Sequence, residues 1–273
     1  MGSACSTLAY AVTPAGGENL WTGNSDVNTW SSPILRDPEG LYHLYDPIFA
    51  HKSLYDVLYV AHGVASCPTG PYDWTRAASI NSTGFNPGGL IFPNATSGEP
   101  VYSLWVKGGD ILVSSSAFRP FVVSNYSSAP NTVNVAPLYN NGNFYMFDVS
   151  IRAIWMTPSL DKPWVKLGEI SHANTSYAVE DAFLYADLCG NFHINHAYKT
   201  SEKVNCSLSV VSSHFFRADG LVWGHTDQPY GHTVEFDDGT SHSYCTLERP
   251  NLLFDEAGDM SHIHFAADLI TQD

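Results

Sequence analysis

Leu138-Tyr139-Asn140-Asn141-Gly142-Asn143-Phe144-Tyr145 packs an apolar strand, an Asn-Gly turn and an aromatic strand into eight residues. Asn-Gly between two apolar runs marks a tight β-hairpin, because both turn positions need a positive φ. The phrase recurs in Leu35-Arg36-Asp37-Pro38-Glu39-Gly40-Leu41-Tyr42, Tyr185-Ala186-Asp187-Leu188-Cys189-Gly190-Asn191-Phe192 and Phe254-Asp255-Glu256-Ala257-Gly258-Asp259-Met260, with a looser copy at Gly98. The turn glycines Gly40, Gly98, Gly142, Gly190 and Gly258 are separated by 58, 44, 48 and 68 residues. Short strands repeating at about 50 residues predict a β-propeller, in which the start of every repeat meets at one central funnel.

Each repeat has a second half: a small-residue strand, a Pro- or Gly-aromatic turn, then a fourth strand. Val64-Ala65-Ser66-Cys67-Pro68 leading to Pro71-Tyr72-Asp73-Trp74 is one example, and Ile154-Trp155-Met156-Thr157-Pro158 leading to Lys162-Pro163-Trp164 is another. Pro and Gly stop strands and set turns at these points. The fold expected is therefore all-β, a five-bladed propeller of four-stranded antiparallel blades forming one domain over 1–273. The blades fall at about 28–80, 84–125, 132–169, 178–226 and 245–273. The fifth is short, and Leu8-Ala9-Tyr10-Ala11-Val12 is a candidate for its missing outer strand. The stretch 227–244, with Asp237-Asp238-Gly239-Thr240, reads as a hairpin or flap above the funnel. No long stretch keeps a helical apolar period.

Composition narrows the partners. The chain carries a net charge of -15, with only 12 Lys and Arg, and shows no basic patch, so phosphate-backbone binding is excluded and no nucleic-acid partner is expected. No apolar run reaches membrane-spanning length. Aromatics at 13% against charged residues at 14% suit a neutral polar ligand, with carbohydrate the leading candidate. The five cysteines, Cys5, Cys67, Cys189, Cys206 and Cys245, lack metal-site spacing. Sequons begin at Asn81, Asn94, Asn125, Asn174 and Asn205, a small excess that points to an extracellular or luminal glycoprotein. No signal peptide is visible. The start Met1-Gly2-Ser3-Ala4-Cys5-Ser6 fits a myristoylation pattern, although a fragment start is the preferred reading.

Chemistry is expected where the first strand of each repeat begins. Those starts read Trp30-Ser31-Ser32-Pro33, Phe85-Asn86-Pro87, Asn134-Val135-Ala136-Pro137, Val179-Glu180-Asp181-Ala182 and Leu247-Glu248-Arg249-Pro250. Three carboxylates converge, Glu180, Asp181 and Glu248, with Arg249, Asn86 and Asn134 beside them. Two carboxylates about 5 to 9 Å apart across a sugar can run glycoside hydrolysis as acid and base or nucleophile, and crowding raises one pKa, as a general acid needs. Glu180 and Asp181 are neighbours on a strand and point to opposite faces, so only one sees the funnel unless a bulge turns both inward. The competing reading is that Glu248 and Arg249 merely tie one blade to the next. Trp30 is a candidate sugar platform, and His262 a candidate for holding a sugar hydroxyl or a metal-bound water. No cofactor is expected, a funnel-bound ion such as calcium apart; Asp237-Asp238-Gly239 lacks EF-hand spacing. No G-x-S-x-G elbow is present, which sets serine hydrolase chemistry aside.

In order, these segments resemble the five-bladed propeller glycosidases of families 43, 62 and 117. They resemble more closely a group of secreted propellers whose blade starts read W-G-G-S, H-N-P, N-P-A-P, E-D-P-F-L-W and R-E-R-P-H-L-L-F-D. Here the last two are Glu180-Asp181-Ala182-Phe183-Leu184-Tyr185 and Leu247-Glu248-Arg249-Pro250-Asn251-Leu252-Leu253-Phe254-Asp255, and the likeness runs over about 28–268. It implies a glycoside hydrolase acting through an Asp base, a pKa-tuning Asp and a Glu acid from successive blades. This chain departs from that pattern: its first two blades offer Ser and Asn, and Asp26 is the nearest carboxylate to the first. A propeller that binds glycan or protein without turnover is the alternative.

Overall fold

In the computed structural model the turn phrases open five antiparallel sheets. The structure describes residues 27–29, 33–50, 57–70, 72–75, 87–106, 108–118, 120–126, 130, 134–170, 178–199, 212–217, 223–227, 230–231, 233–235 and 240–269, all strand, turn or loop with no helix among them. The first sheet holds β1 (Val27–Thr29), β2 (Ile34–Arg36), β3 (Tyr42–Ala50), β4 (Val57–Ala65) and β5 (Asp73–Thr75). β1 and β2 share one edge of β3, so this sheet is four strands across. The second is β6 (Gly88–Pro93), β7 (Pro100–Trp105), β8 (Ile111–Ser114) and β9 (Val122–Val123), and the third is β10 (Val135–Asn140), β11 (Asn143–Asp148), β12 (Ala153–Thr157) and β13 (Val165–Glu169). The fourth is β14 (Ala178–Ala186), β15 (Phe192–Lys199), β16 (Ser212–Arg217) and β17 (Gly224–Asp227). The fifth is β18 (Thr233–Glu235), β19 (Ser241–Phe254) and β20 (Met260–Leu269). The stretch expected to form a hairpin or flap joins this last sheet, with β18 and β19 as an antiparallel hairpin. Leu8–Val12, Asp26, Trp30 and Asn86 lie outside the described residues.

The repeated phrase has a common mechanical cause. Asp37 Oδ1 accepts the Leu41 amide at 2.7 Å, and the Asp37 carbonyl accepts the Gly40 amide at 3.0 Å. Asp187 does the same for Asn191 and Gly190, and Asp255 for Asp259 and Gly258. One carboxylate thus satisfies amides that the turn would otherwise leave open. In the third sheet, Asn141 at φ +49° and Gly142 at φ +78° form a two-residue turn that pairs Asn140 with Asn143. The twist of such a turn matches that of its strands.

Two of these aspartates also anchor histidine chains. The buried His43 lies 2.9 Å through Nε2 from Asp37 Oδ2, and its Nδ1 lies 2.9 Å from His62 Nε2. Tyr45 stacks on His62 at 4.6 Å. Asp187, His193 and His214 repeat the arrangement in the fourth sheet at 3.3 and 3.0 Å.

Each sheet packs on the next. Leu35, Tyr45 and Val60 of the first meet Leu104 and Leu112 of the second. Phe92 and Trp105 of the second meet Val135, Phe144 and Met146 of the third. Ala136, Phe147 and Ile154 of the third meet Leu184, Ile194 and Phe215 of the fourth. Tyr185 of the fourth sits 5.1 Å from Phe254 of the fifth. Leu253 of the fifth packs with Ile34 and Leu44 of the first, where Arg36 and Glu256 also pair at 3.6 Å. Burial of these apolar faces, at about 25 cal/mol per Å², is the main force holding the sheets side by side.

Candidate functional site

Strands β2, β6, β10, β14 and β19 converge on a cavity of about 100 Å³, lined by 33–35, 87–89, 134–137, 181–184 and 249–251. Close approach of the strands demands small residues here. A Cβ on Gly88 would meet the Val135 carbonyl oxygen and Pro137 Cδ at 2.5 Å, and one on Gly89 would meet Pro33 at 2.6 Å.

Three of the five strands are broken at this level. β1 and β2 are separate stretches along one edge of β3. In β14 the register shifts between Glu180 and Phe183, and in β19 between Glu248 and Asn251. Asp181 and Arg249 sit in these two bulges at φ +53° and +54°. Left-handed backbone at a residue other than glycine costs energy and collects at functional sites. The bulge decides the question left by strand alternation: Asp181 lines the cavity, and Glu180, half-buried, does not.

The two bulges aim their side chains at each other. Arg249 Nη2 lies 3.3 Å from Asp181 Oδ1, with side chains 8% and 4% exposed. The same nitrogen donates to Asn134 Oδ1 at 3.4 Å, and the Arg249 carbonyl accepts from Asn251 Nδ2 at 3.1 Å. Burial pulls the Arg249 pKa down, while Asp181, Glu248, Glu180 and Asp46 push it back up. Among the described residues, four carboxylates thus act electrostatically on this guanidinium, with Asp181 in direct contact. Glu248 is buried beside it without lining the cavity. Among the described residues no group of three or more His, Cys, Asp or Glu is placed to hold a metal ion.

The structure thus brings Asp181, Arg249 and Asn134 together at the cavity, with Glu180 and Glu248 as charged neighbours. His262 is elsewhere: it is half-buried, lies 3.0 Å through Nδ1 from Ser261 Oγ and does not line the cavity. The histidine nearer the site is His264, which pairs in register with the cavity residue Asn251; burial lowers its pKa to about 4. Two further groups have no counterpart among the expected site residues. Asp46 is a buried carboxylate inside β3, flagged in the sequence only by Asp46-Pro47 interrupting an apolar strand. Tyr230 comes from the stretch before β18; burial, then the charges of Asp181 and Glu248, push the pKa of its hydroxyl up. Cys67 is disulfide-bonded, and Cys189 is an exposed free thiol.

No protein-family model matches the chain, and no curated protein matches it. Solved structures do. A thermostable family-43 glycoside hydrolase superimposes with a TM-score of 0.52 at 9% identity, over 92% of this chain and 96% of that one. An exo-β-1,3-galactanase from Phanerochaete chrysosporium bound to galactose gives 0.54 at 8% identity, over 89% and 67%. An α-L-arabinofuranosidase from Fusarium graminearum in complex with an iminosugar inhibitor gives 0.51 at 10%, over 89% and 75%. At these identities the likeness is one of fold: all-β, with β-propeller glycoside hydrolases of the family-43 kind as its neighbours.

Proposed function

We propose that the five sheets are the blades of one propeller and that the protein is glycoside-hydrolase-like, acting on a neutral glycan at the axial cavity. The observation that carries this reading is the pair of strained bulges at Asp181 and Arg249, which join two buried charges where strands of the five sheets converge. Strain of this kind is retained where a side chain must be aimed, not where strands merely pack. Asp181, already paired with a guanidinium, suits the anionic part of base or nucleophile. Glu248, among other carboxylates, suits the acid that protonates the departing oxygen. Glu180 adds charge, and Arg249 and Asn134 orient hydroxyls. The excess of carboxylates disfavours acidic sugars. The Cys67 disulfide and the sequons support a secreted or luminal location, where disulfides persist.

The test is release from 4-nitrophenyl glycosides, β-D-galactoside and α-L-arabinofuranoside included, by the native protein, Asp181→Asn and Glu248→Gln. Loss of a general acid or base lowers the rate by about 10²–10⁴-fold. Release unchanged in Asp181→Asn removes that residue from the mechanism. One observation favours a second reading, binding without turnover: Asp181 is engaged by Arg249 in a cavity smaller than the ~300 Å³ at which ligand sites usually begin. Glycan-array binding with no release from any aryl glycoside selects that reading.

A further inference from the structure

The turn of the second sheet departs from those of the first, fourth and fifth in one residue type. Asp37, Asp187 and Asp255 hold their turns with a carboxylate oxygen, whereas Asn94 holds the β6–β7 turn with an amide oxygen. Asn94 Oδ1 accepts the Thr96 amide at 2.9 Å and the Ser97 amide at 3.1 Å, and the Asn94 carbonyl accepts the Gly98 amide at 2.8 Å. The turn therefore uses only the oxygen of this side chain, and aspartate supplies that oxygen elsewhere. Neither proton of the Asn94 amide nitrogen meets an acceptor among the described residues. The whole run Pro93-Asn94-Ala95-Thr96-Ser97-Gly98-Glu99 is exposed, and a Cβ on Gly98 would meet nothing within 4 Å.

We propose that Asn94 is a covalent modification site, the acceptor of an N-linked oligosaccharide. Asn94-Ala95-Thr96 is a sequon without proline at Ala95 or Ser97, and the context that such a motif requires is an exposed loop of a secreted protein. The inference rests on the secreted or luminal location proposed above, to which the Cys67 disulfide points. In the transfer, Asn94 Nδ2 attacks C1 of an oligosaccharide carried on a polyprenyl diphosphate. The N–C1 bond forms, the C1–O bond breaks, the diphosphate leaves with its electron pair, and Nδ2 gives up one proton. The fold spends nothing on the groups this step needs: Nδ2 is spare, and the Thr96 hydroxyl makes no hydrogen bond among the described residues. Six residues of extended strand, at about 3.3 Å each, put Asn94 about 20 Å from the cavity residue Gly88, so the oligosaccharide leaves the cavity open. Asn125 is exposed too, but its Ser127 lies outside the described residues, as do Asn81, Asn174 and Asn205.

The test is glycopeptide mass spectrometry on the full chain expressed behind a cleavable leader in a eukaryotic host, with thiol alkylation reading the state of Cys67. The expected result is an oligosaccharide on Asn94 in most molecules recovered from the medium. Two variants remove it by different routes. Asn94→Asp gives the second sheet the residue that holds the turns of the first, fourth and fifth, and Thr96→Ala keeps every hydrogen bond of the Asn94 side chain. Both should lose the Asn94 oligosaccharide completely, and their melting temperatures should stay within about 2 °C of the native protein stripped of its glycans. Secreted protein with Cys67 oxidised and Asn94 unmodified overturns the assignment of Asn94 and leaves the location standing. Asn94 still modified in Thr96→Ala shows that the sequon is not what is recognised, and also overturns it. A chain held inside the cell with Cys67 reduced overturns the location and this inference together.

Discussion

Replacing Arg249 with Met removes a cation on which Asp181, Glu248, Glu180 and Asp46 all act, while keeping an unbranched chain of similar length. The Asp181–Arg249 pair is almost fully shielded from water, at 4% and 8% side-chain exposure, so screening does little to weaken it. Removing one member of a buried pair costs about 3–5 kcal/mol, because the partner charge is left without compensation. Unfolding entropy of about 2.1 cal/mol/K per residue over the 273 residues makes each kcal/mol worth about 1.7 °C. Arg249→Met should therefore melt about 5–9 °C below the native protein. Asp181→Asn should cost less, about 2–4 °C, because Arg249 keeps Glu248, Glu180 and Asp46 as countercharges and an amide oxygen can still accept its proton. Asparagine also tolerates the left-handed backbone at this position. Adding Asp181→Asn to Arg249→Met should recover part of the loss by removing one of the stranded carboxylates. Differential scanning calorimetry at low ionic strength reads all three. The charge-cluster account fails if Arg249→Met melts within about 2 °C of native, or if Asp181→Asn is the more damaging of the two.

Gly142→Val places a β-branched residue at φ +78° where an added Cβ meets nothing within 4 Å, so its cost is conformational alone, about 1–2 kcal/mol by urea denaturation. A loss above about 4 kcal/mol would show that the turn carries packing as well. Gly88→Ala drives a Cβ to 2.5 Å from Val135 O and Pro137 Cδ, and should destabilise by about 1–3 kcal/mol while weakening any ligand of the cavity. Neutral behaviour on both counts would refute the tight approach of β6 and β10. Burial lowers the pKa of His62 and His264 to about 4 from the ordinary 6.5. The unfolded chain then binds more protons than the native one between these values, so stability is full above pH 6.5 and falls as pH drops toward 4, by up to about 3 kcal/mol per histidine. A flat stability profile between pH 7 and 4.5 would show that these rings are not buried neutral.

The sheets were legible because their cause is local: an aspartate or asparagine whose side chain satisfies a turn's amides, and a glycine at positive φ, announce themselves within five residues. The site was legible in its membership but not in its geometry. Asp181, Arg249 and Asn134 were marked by their places at strand starts, yet alternation alone put Glu180 and Asp181 on opposite faces and left the choice open. What decides it is a bulge, and nothing in Glu180-Asp181-Ala182 announces one, since neither glycine nor proline is there. In Leu247-Glu248-Arg249-Pro250 the proline is such a signal, because a proline inside a strand favours a bulge. The match of φ at Asp181 and Arg249 shows that the two segments solve one backbone problem, only one of them with a residue that advertises it. Asp46 and Tyr230 were hidden for a different reason. Each is a single polar residue in an otherwise unremarkable stretch, and each acquires meaning only from charges contributed by other sheets. A site assembled from five strands, far apart in the chain, therefore shows its acids and its arginine in the sequence, while the electrostatic balance among them belongs to the fold.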